Sequence, residues 1–324
     1  MNTESNKQPL LFSIIIPVYN RPSEIDKLLD SLTKQTVKTF EVIVIEDGSS
    51  IRCSEQVDKY KSFLNIKYYY KNNTGPGLSR NYGCEKSEGD YYIFLDSDCV
   101  LPLHYIQTLY SSLMNDYADA FGGHDNAHPD FSIHQKAINY AMTSFLTTGG
   151  IRGGGEKLDK FYPRSFNMGY SRAVFSATKG FSDMRFGEDI DMSIRIIKNG
   201  FKTRLIKDAY VYHKRRTNYK QFFKQIYNSG MARINLYKKH PESLKLVHAL
   251  PSLFSIGMFF LIVLSFFIST YFLFPILLFA VLLFFDATIR NKSILIGIWA
   301  IMASFIQLIA YGTGFLMAFR RRII

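Results

Sequence analysis

The sequence predicts an α/β protein with a mainly parallel sheet covered by helices on both faces, followed by an amphipathic interfacial helix and apolar transmembrane helices. Three observations support this fold class. Between residues 12 and 212, β-rich runs alternate with runs of helical periodicity, the pattern of crossovers in a parallel sheet. Near Pro251 the chain changes abruptly to apolar residues. Residues 219–240, just before that change, interleave basic side chains with aromatic and aliphatic ones.

The individual elements follow from the spacing of apolar residues. Short apolar runs rich in β-branched and aromatic residues predict strands at residues 12–16, 41–46, 66–70 and 91–95. Apolar residues at helical spacing predict helices at residues 23–34, 55–63 and 78–86. The first apolar run lacks a basic region before it and a small-residue cleavage site after it, so a buried strand explains it better than a signal peptide.

Composition excludes several classes of protein. The chain has 324 residues, of which 47% are hydrophobic, and its 28 Phe and 21 Tyr argue against intrinsic disorder. Three cysteines in this length form no disulfide framework, so we expect Cys53, Cys84 and Cys99 to be reduced thiols. The formal net charge of +12 favours a phosphorylated ligand and anionic membrane lipids. Nucleic acid is disfavoured as a partner, because the chain shows no basic and aromatic repeat of a binding module.

The C-terminal region predicts about three hydrophobic helices. Residues 250–285 carry no charge and are too long for one helix across a hydrocarbon core of roughly 30 Å. Two short spans are expected instead, with the break around Ser269, Thr270 and Pro275, where helix propensity is poorest. A second uncharged run, residues 293–319, is long enough to cross once.

The orientation of these helices is left open by the charges that flank them. Three spans place the two chain ends on opposite sides of a membrane, whereas Arg290, Lys292 and the arginines at 320–322 all favour the cytoplasm. Either one segment is re-entrant, at Gly312 and Gly314, or the terminal arginines tolerate the outer side. The number and parity of the spans therefore stay undecided at this stage.

The basic segment at residues 219–240 has two readings. As an amphipathic helix it could lie on an anionic membrane face, with its lysines toward the lipid head groups. Alternatively, it is a surface helix packed on the globular domain. We expect three regions in the chain: a domain at residues 1–217, the interfacial helix at 218–248, and the transmembrane region at 249–324.

Aspartates follow two of the predicted strands. Asp47 ends the second strand, and Asp96 and Asp98 follow the fourth, so all three are expected on the same rim of the sheet. Two carboxylates one residue apart can serve a hard cation such as Mn²⁺ or Mg²⁺, which would offset the charge of a nucleoside diphosphate. Acids after strands are common, so a D-x-D triplet alone is a weak signal.

Five short motifs together are more specific. They occur in the order P-V-Y-N at 17–20, E-V-I-V-I-E-D-G-S at 41–49, G-L-S-R-N at 77–81, D-S-D at 96–98 and G-E-D-I-D at 187–191. This series resembles family 2 glycosyltransferases of the GT-A fold, across residues 12–213. The resemblance implies a Rossmann-like catalytic domain that uses a nucleotide-sugar donor.

The resemblance also implies roles for single residues on the donor side. It places Pro17, Tyr19, Asp47, Arg80 and Asp96 at the nucleotide sugar. Asp47 would contact the nucleoside, with a turn-capping aspartate before a glycine as the alternative. Arg80 would either touch the diphosphate or pair with Asp96.

The metal ligands and the catalytic base follow from the same resemblance. Asp98 and His213 would bind the divalent cation, although a lone histidine is often structural. Asp189 would be the general base of an inverting transfer; with Glu188 it begins a predicted helix, whose macrodipole favours the ionised carboxylate. The alternative is an acidic helix cap. Residues expected near the acceptor or the diphosphate are Arg152, Arg164, Asn167, Glu188 and Arg215.

The leading hypothesis is a metal-dependent hexosyltransferase of family 2 that moves a sugar, most simply from a UDP-linked donor, to a lipid-linked acceptor. It would work at the inner, cytoplasmic membrane in cell envelope glycan biosynthesis, with the catalytic domain facing the cytoplasm. Gln225 does not begin the Q-x-x-R-W signature of processive synthases, so single transfer is favoured. The alternatives are a polysaccharide or soluble acceptor, and a non-catalytic nucleotide-sugar-binding membrane protein.

Overall fold

The computed structural model describes residues 10–126, 131–149, 162–214 and 218–320. The chain divides into two compact units. The first, the sheet unit, comprises Met1–Asn126 and Lys160–Lys214. The second, the helical unit, comprises Ala127–Asp159 and Arg215–Ile324. The boundary at residue 214 lies close to the predicted one at 217, but the described residues 131–149, expected in the first domain, group with the C-terminal helices.

The strands form two sheets in the sheet unit. Their bounds are β1 Phe12–Val18, β2 Phe40–Asp47, β3 Ile66–Lys71, β4 Tyr91–Leu95, β5 Cys99–Val100, β6 Ala120–Gly122, β7 Asp125–Asn126, β8 Asn167–Ser171, β9 Thr203–Leu205 and β10 Val211–His213. The seven-stranded sheet has the order β3-β2-β1-β4-β8-β6-β9, and the three-stranded sheet has the order β5-β10-β7. The strands and helices predicted in the first 95 residues are confirmed in type and order, although the helix predicted at residues 55–63 ends at Asp58.

Twelve α-helices are found in the described residues. The sheet unit contains α1 Pro22–Thr33, α2 Ser54–Asp58, α3 Pro76–Glu85, α4 Tyr105–Asn115, α7 Arg172–Thr178 and α8 Glu188–Lys198. The helical unit contains α5 Ile133–Thr143, α6 Phe145–Thr148, α9 Tyr219–Lys239, α10 Leu250–Phe267, α11 Phe274–Asn291 and α12 Ile294–Arg320.

The larger sheet is mainly parallel, as predicted. Strand β1 pairs in parallel with β2 and β4, and β2 pairs in parallel with β3. Strand β8 is antiparallel to both of its neighbours. Because β1, β2 and β4 run in the same direction, their carboxyl ends and the residues that follow them lie on one rim.

Both faces of the sheet are covered, because alternate residues of each strand enter different cores. On one face, Ile14 and Ile16 of β1 pack in a cluster with Leu28 of α1 and Leu109 of α4. On the other face, the intervening Ile15 joins a cluster that includes residues of α3, α7 and α8. Cys53, Cys84 and Cys99 are free and buried, as expected.

In the helical unit, α9 packs against α12. The apolar face of α9 is buried, including Phe222, Ile226 and Ile234, whereas Lys220 and Lys224 are exposed. The alternative of a packed helix is therefore closer to the structure, although its partner is an apolar C-terminal helix rather than the globular domain.

Three helices are long and apolar enough to cross a membrane: Leu250–Phe267, Thr270–Asn291 and Ile294–Phe319. The predicted break is confirmed. After α10 the chain passes through Ser269 into a 3-10 turn at Thr270–Leu273, and Pro275 stands in the first turn of α11. Proline is tolerated there because the amide it lacks has no partner in the first turn of a helix.

The alternative of a re-entrant segment at Gly312 and Gly314 is wrong, because α12 continues through both glycines. They allow close helix packing instead. A Cβ on Gly312 would lie 2.4 Å from the carbonyl oxygen of Pro251, and a Cβ on Gly314 would lie 2.1 Å from that of Tyr227 in α9. From the other side, a Cβ on Gly230 of α9 would lie 2.2 Å from the carbonyl oxygen of Tyr311.

This contact gives a prediction for stability. Gly314→Ala should destabilise the helical unit by about 1–3 kcal/mol, because the added methyl group forces two backbones apart. The thermal unfolding midpoint of the full chain in detergent measures the loss. Gly257→Ala in α10 is the matched control, since no atom lies within 4 Å of its added Cβ. Equal midpoints for the two variants would contradict the close α9–α12 contact.

Candidate active site

The second sheet brings His213 beside Asp98, although 115 residues separate them in sequence. Strand β10 pairs antiparallel with β5, and this register sets His213 opposite Cys99, the residue after Asp98. The imidazole Nε2 lies 3.1 Å from Oδ1 of Asp98 and 4.0 Å from Oδ2 of Asp96. Phe166 stacks on the imidazole with ring centroids 5.1 Å apart, which fixes the plane of the ring.

The carboxylate of Asp98 is also bound by Arg21, whose guanidinium donates to Oδ2. Burial raises the pKa of Asp98, but the charges of His213 and Arg21 and their hydrogen bonds outweigh burial and hold that pKa well below its usual range. Asp98 is therefore ionised at neutral pH, the form that a metal ligand requires.

The residues at this position fit a divalent cation. Asp98 and His213, together with the thiol of Cys99, form a cluster whose ligand atoms lie within 4.8 Å of one another. Burial raises the pKa of Cys99 well above its ordinary value, and its thiol donates to the carbonyl oxygen of Phe166, so it is a poor ligand. The cluster then keeps the carboxylate of Asp98 and the imidazole of His213, and Asp96, whose Oδ2 lies 4.0 Å from that imidazole, adds a second carboxylate. Two carboxylates and an imidazole suit Mn²⁺ and accommodate Mg²⁺.

Arg80 links this cluster to the second predicted acidic motif. Its guanidinium is almost fully buried and donates to Oδ1 of Asp96 at 2.7 Å and to Oε1 of Glu188 at 3.1 Å. It also lies over the ring of Phe181. The structure therefore supports the pairing of Arg80 with Asp96, while the alternative contact with a diphosphate would require those bonds to change.

The pair Glu188 and Asp189 begins α8. Gly187 precedes it with a φ of 84°, a left-handed conformation that favours glycine. Asp189 is bound through Oδ2 by Nε of Arg164 at 2.6 Å, and its Oδ1 accepts from the amide of Ile190 at 2.8 Å. Burial would raise the pKa of Asp189, but Arg164 and the other donors lower it below its ordinary value.

The pKa of Glu188 is shifted in the opposite direction. Burial and the adjacent charge of Asp189 raise the pKa of Glu188 to about 7, despite the opposing charge of Arg80. Two neighbouring carboxyl groups thus differ in protonation near neutral pH: Asp189 is an anion that can accept a proton, and Glu188 is partly protonated.

Asp47 is the last residue of β2, as predicted, and its carboxylate is already engaged. It accepts from the amides of Thr74 and Gly75 at 3.0 and 2.9 Å and from the ammonium of Lys71. These bonds hold the loop before α3 rather than the turn at Gly48 that a capping aspartate would hold, and the contact of Asp47 with a nucleoside stays a prediction.

The remaining donor-side residues lie at the end of β1. Pro17 lies inside that strand and pairs with Ile45, rather than following the strand as the sequence suggested. Tyr19 follows the strand and is 53% exposed, which leaves its ring accessible at the rim.

The acceptor-side predictions have different outcomes. Asn167 is fully buried; its amide donates to the carbonyl oxygens of Ala209 and His124, and its Oδ1 accepts from Tyr105. The side chain ties strands together, so the predicted contact with an acceptor is not available to it. Arg164 lies beside Asp189, as described above. Arg152 and Arg215 lie outside the described residues.

Two residues of the site were missed by sequence reasoning. Arg21 follows the P-V-Y-N motif directly, and its position after a strand of the parallel sheet was a usable signal. Phe166 lies immediately before β8, in a segment whose strand character the sequence did not reveal. Its contact with His213 depends on the pairing of distant strands.

Comparison with known proteins agrees with this fold. The sequence profile described as Glycosyl transferase family 2 matches residues 13–178, more than half of the chain. The profile described as Glycosyl transferase family group 2 matches residues 164–310. The chain belongs to glycosyl transferase family 2.

Curated relatives match over a short segment. An uncharacterized glycosyltransferase of Rickettsia bellii is 48% identical over 86 residues, which are 26% of this chain and 12% of that protein. TarS of Staphylococcus aureus, a poly(ribitol-phosphate) beta-N-acetylglucosaminyltransferase, is 43% identical over 91 residues, 27% of this chain and 16% of TarS. The chain thus aligns with less than a fifth of either relative.

Solved structures confirm the predicted GT-A fold. The mannosyltransferase PcManGT from Pyrobaculum calidifontis, in complex with GDP-Man and Mn²⁺, has a TM-score of 0.66 at 14% identity and covers 92% of this chain and 88% of that one. A structure of S. aureus TarS with UDP-GlcNAc has a TM-score of 0.51 at 20% identity and covers 96% of this chain and 92% of that one.

Proposed function

We propose that this chain is an inverting, metal-dependent glycosyltransferase that moves a sugar from a nucleotide-sugar donor to a hydroxyl acceptor. One observation carries the proposal. The Asp96, Asp98 and His213 cluster is connected through buried Arg80 to Glu188, the residue directly before Asp189, so a candidate cation site and a candidate base lie close together.

On the donor side, Asp96, Asp98 and His213 would hold Mn²⁺ or Mg²⁺. When bound, the cation neutralises the diphosphate and stabilises it as a leaving group. Arg80 holds Asp96 in place by a bond of 2.7 Å, and Phe166 keeps the imidazole of His213 in one orientation. The nucleoside diphosphates in the names of the PcManGT and TarS complexes, GDP and UDP, support this class of donor.

On the acceptor side, Asp189 would take the proton of the attacking hydroxyl. The acceptor oxygen forms a bond to the anomeric carbon, the bond from that carbon to the diphosphate oxygen breaks, and the diphosphate leaves with the electron pair. The proton passes to a carboxylate oxygen of Asp189, which is ionised at neutral pH. A single displacement of this kind inverts the anomeric configuration.

A lipid-linked acceptor at the cytoplasmic face of the inner membrane is the part of the proposal that rests on the helical unit. Three of its helices are long and apolar enough to span a bilayer, and anionic lipids would meet the exposed lysines of α9. A membrane-held enzyme meets a membrane-held acceptor at high effective concentration. A polysaccharide or soluble acceptor is the rival, and a role in envelope glycan synthesis fits either.

Donor screening with the full chain in a native-lipid detergent extract tests this function. UDP- and GDP-linked sugars are supplied with Mn²⁺, and released nucleoside diphosphate and the mass of glycosylated lipid are both measured. A heavier lipid with matching diphosphate release would support the lipid acceptor. Turnover that requires added soluble glycan would favour the rival acceptor. Donor binding without turnover for any acceptor would favour a non-catalytic nucleotide-sugar-binding protein.

The pairing of Arg164 with Asp189 gives a prediction for the pH profile. Arg164 lowers the pKa of Asp189, so Arg164→Gln should raise that pKa and leave less ionised base at acidic pH. The acidic limb of the kcat/KM profile should therefore move to higher pH. Arg185→Gln, which removes an exposed arginine from the loop before α8, is the matched control. An unmoved limb in Arg164→Gln would show that another group controls it.

A further inference from the structure

Arg21 occupies a position that the proposed transfer does not yet explain. Its guanidinium donates to Oδ2 of Asp98, while Oδ1 of the same carboxylate faces Nε2 of His213 at 3.1 Å. Both oxygens of the predicted metal ligand are thus engaged by side chains. The side chain of Arg21 is 29% exposed, so it lies at the surface of the rim rather than in the core.

The backbone before Arg21 is held firmly. Asn20 has a φ of 54°, and its amide donates to Oγ of Ser49 at 2.8 Å. Its side-chain oxygen accepts from the amide of Ile51 at 2.9 Å. Arg21 itself is the N-cap of α1, and its carbonyl oxygen accepts from the amide of Ile25 at 3.1 Å. The attachment point is therefore fixed, and the long side chain alone can change partner.

The two ligands of the site act on Arg21 in opposite directions. A divalent cation needs the lone pairs of Asp98 and repels a guanidinium beside them. A nucleoside diphosphate brings several negative charges, and a guanidinium donates to phosphate oxygens in a bidentate geometry. The guanidinium of Arg21, which hinders binding of the cation to Asp98, is thus suited to bind the diphosphate that accompanies the cation.

We propose that Arg21 exchanges partners during donor binding: it leaves Asp98 as the cation binds and moves to the diphosphate. This inference rests on the metal site of the proposed function. Arg21 is then a ligand-binding residue whose contact with Asp98 weakens cation binding in the absence of nucleotide. The consequence is cooperative binding of the cation and the nucleotide, because each favours the arrangement that the other requires.

The test measures two affinities in the full chain in detergent. Free Mn²⁺ is followed by electron paramagnetic resonance in the absence of nucleotide, and UDP binding, with GDP as a second probe, is measured by calorimetry at saturating Mn²⁺. Arg21→Gln should bind Mn²⁺ roughly tenfold more tightly and the nucleotide roughly tenfold more weakly. Arg21→Met should likewise tighten Mn²⁺ binding and weaken nucleotide binding. A structural defect would instead weaken the binding of both ligands.

Lys214→Gln is the matched control for charge. Lys214 lies next to the site, where its amide donates to the carbonyl oxygen of Asp98, but its ammonium pairs with Glu24 at 3.4 Å. We expect less than about a threefold change in its Mn²⁺ affinity. Equal tightening in Lys214→Gln and Arg21→Gln would overturn the exchange in favour of a general field effect.

Two further results would also overturn the exchange. Weaker Mn²⁺ binding in Arg21→Gln would mean that Arg21 orients Asp98 for the cation, and unchanged nucleotide affinity would remove the contact with the diphosphate. Asp98→Asn separates this inference from the metal site itself. If Asp98→Asn kept wild-type Mn²⁺ affinity, the proposed metal site would be wrong; if it lost Mn²⁺, the metal site would stand whatever the result at Arg21.

Discussion

Asp98→Asn is expected to lower the rate of sugar transfer by about a thousandfold or more and to abolish the tight binding of Mn²⁺. The substitution keeps the size of the side chain but removes the anionic ligand that His213 and Arg21 face. The diphosphate would then leave without the charge neutralisation that a bound cation would supply. The transfer rate with and without a chelator, together with Mn²⁺ binding, measures the effect.

Asp116→Asn is the matched control for that substitution. Asp116 is an exposed carboxylate in ion pairs with Lys202 and Arg204, and exposed pairs of this kind contribute little to stability. We expect its transfer rate to match the unsubstituted chain. A wild-type rate for Asp98→Asn in the presence of chelator would contradict the metal-dependent mechanism.

The second large effect is expected for Asp189→Asn. Removing the base should lower the transfer rate by roughly a hundredfold to ten-thousandfold, the usual range for general base catalysis. Donor affinity should be spared, because Asp189 contacts Arg164 and the start of α8 rather than the metal cluster. Calorimetry of donor binding beside the transfer rate separates the two quantities, and equal losses in both would reduce Asp189 to a structural helix cap.

Glu188→Gln is the control that distinguishes the two adjacent acids. Because burial and Asp189 raise the pKa of Glu188 to about 7, its protonated form already exists below that pH, and glutamine imitates that form. Below pH 7 we expect less than a tenfold change in rate. A larger loss in Glu188→Gln than in Asp189→Asn would exchange the roles of the two residues.

Much of the sheet unit could be predicted because local pattern and topology agree there. Continuous apolar runs such as residues 42–45 are buried on both faces of a parallel sheet. The rule that parallel strands end on one rim then placed Asp47 and Asp96 correctly. The break before α11 was predictable for a similar reason, since Ser269, Thr270 and Pro275 interrupt an otherwise uniform apolar run.

The features that were missed depend on pairing between distant segments. Strand β8 is short and contains Gly169, so the periodicity of its apolar residues does not predict a strand. Its antiparallel direction follows from pairing with β4. The same pairing buries Asn167, which the sequence placed near the acceptor. Helices α5 and α6 join the helical unit through packing against α12, a contact with residues more than a hundred positions away.

The partners of the charged side chains in the active site were also not predictable from the sequence alone. The resemblance to the family assigned Arg80, Asp96 and Glu188 to one site, but the choice of Arg80 between a diphosphate and a carboxylate required the observed distances. The position of Arg21 after β1 could have indicated the rim, but its pairing with Asp98, which lies 77 residues away, required the observed contact.

The anomeric configuration of the first product tests the central claim most directly, because a single displacement assisted by Asp189 fixes the stereochemistry. The product is formed from an α-configured nucleotide sugar and examined early in the reaction. Proton NMR then gives the coupling constant of its anomeric proton, which reports the anomeric configuration. The proposed mechanism predicts a β-linked product. An α-linked product, formed with retention, would contradict it.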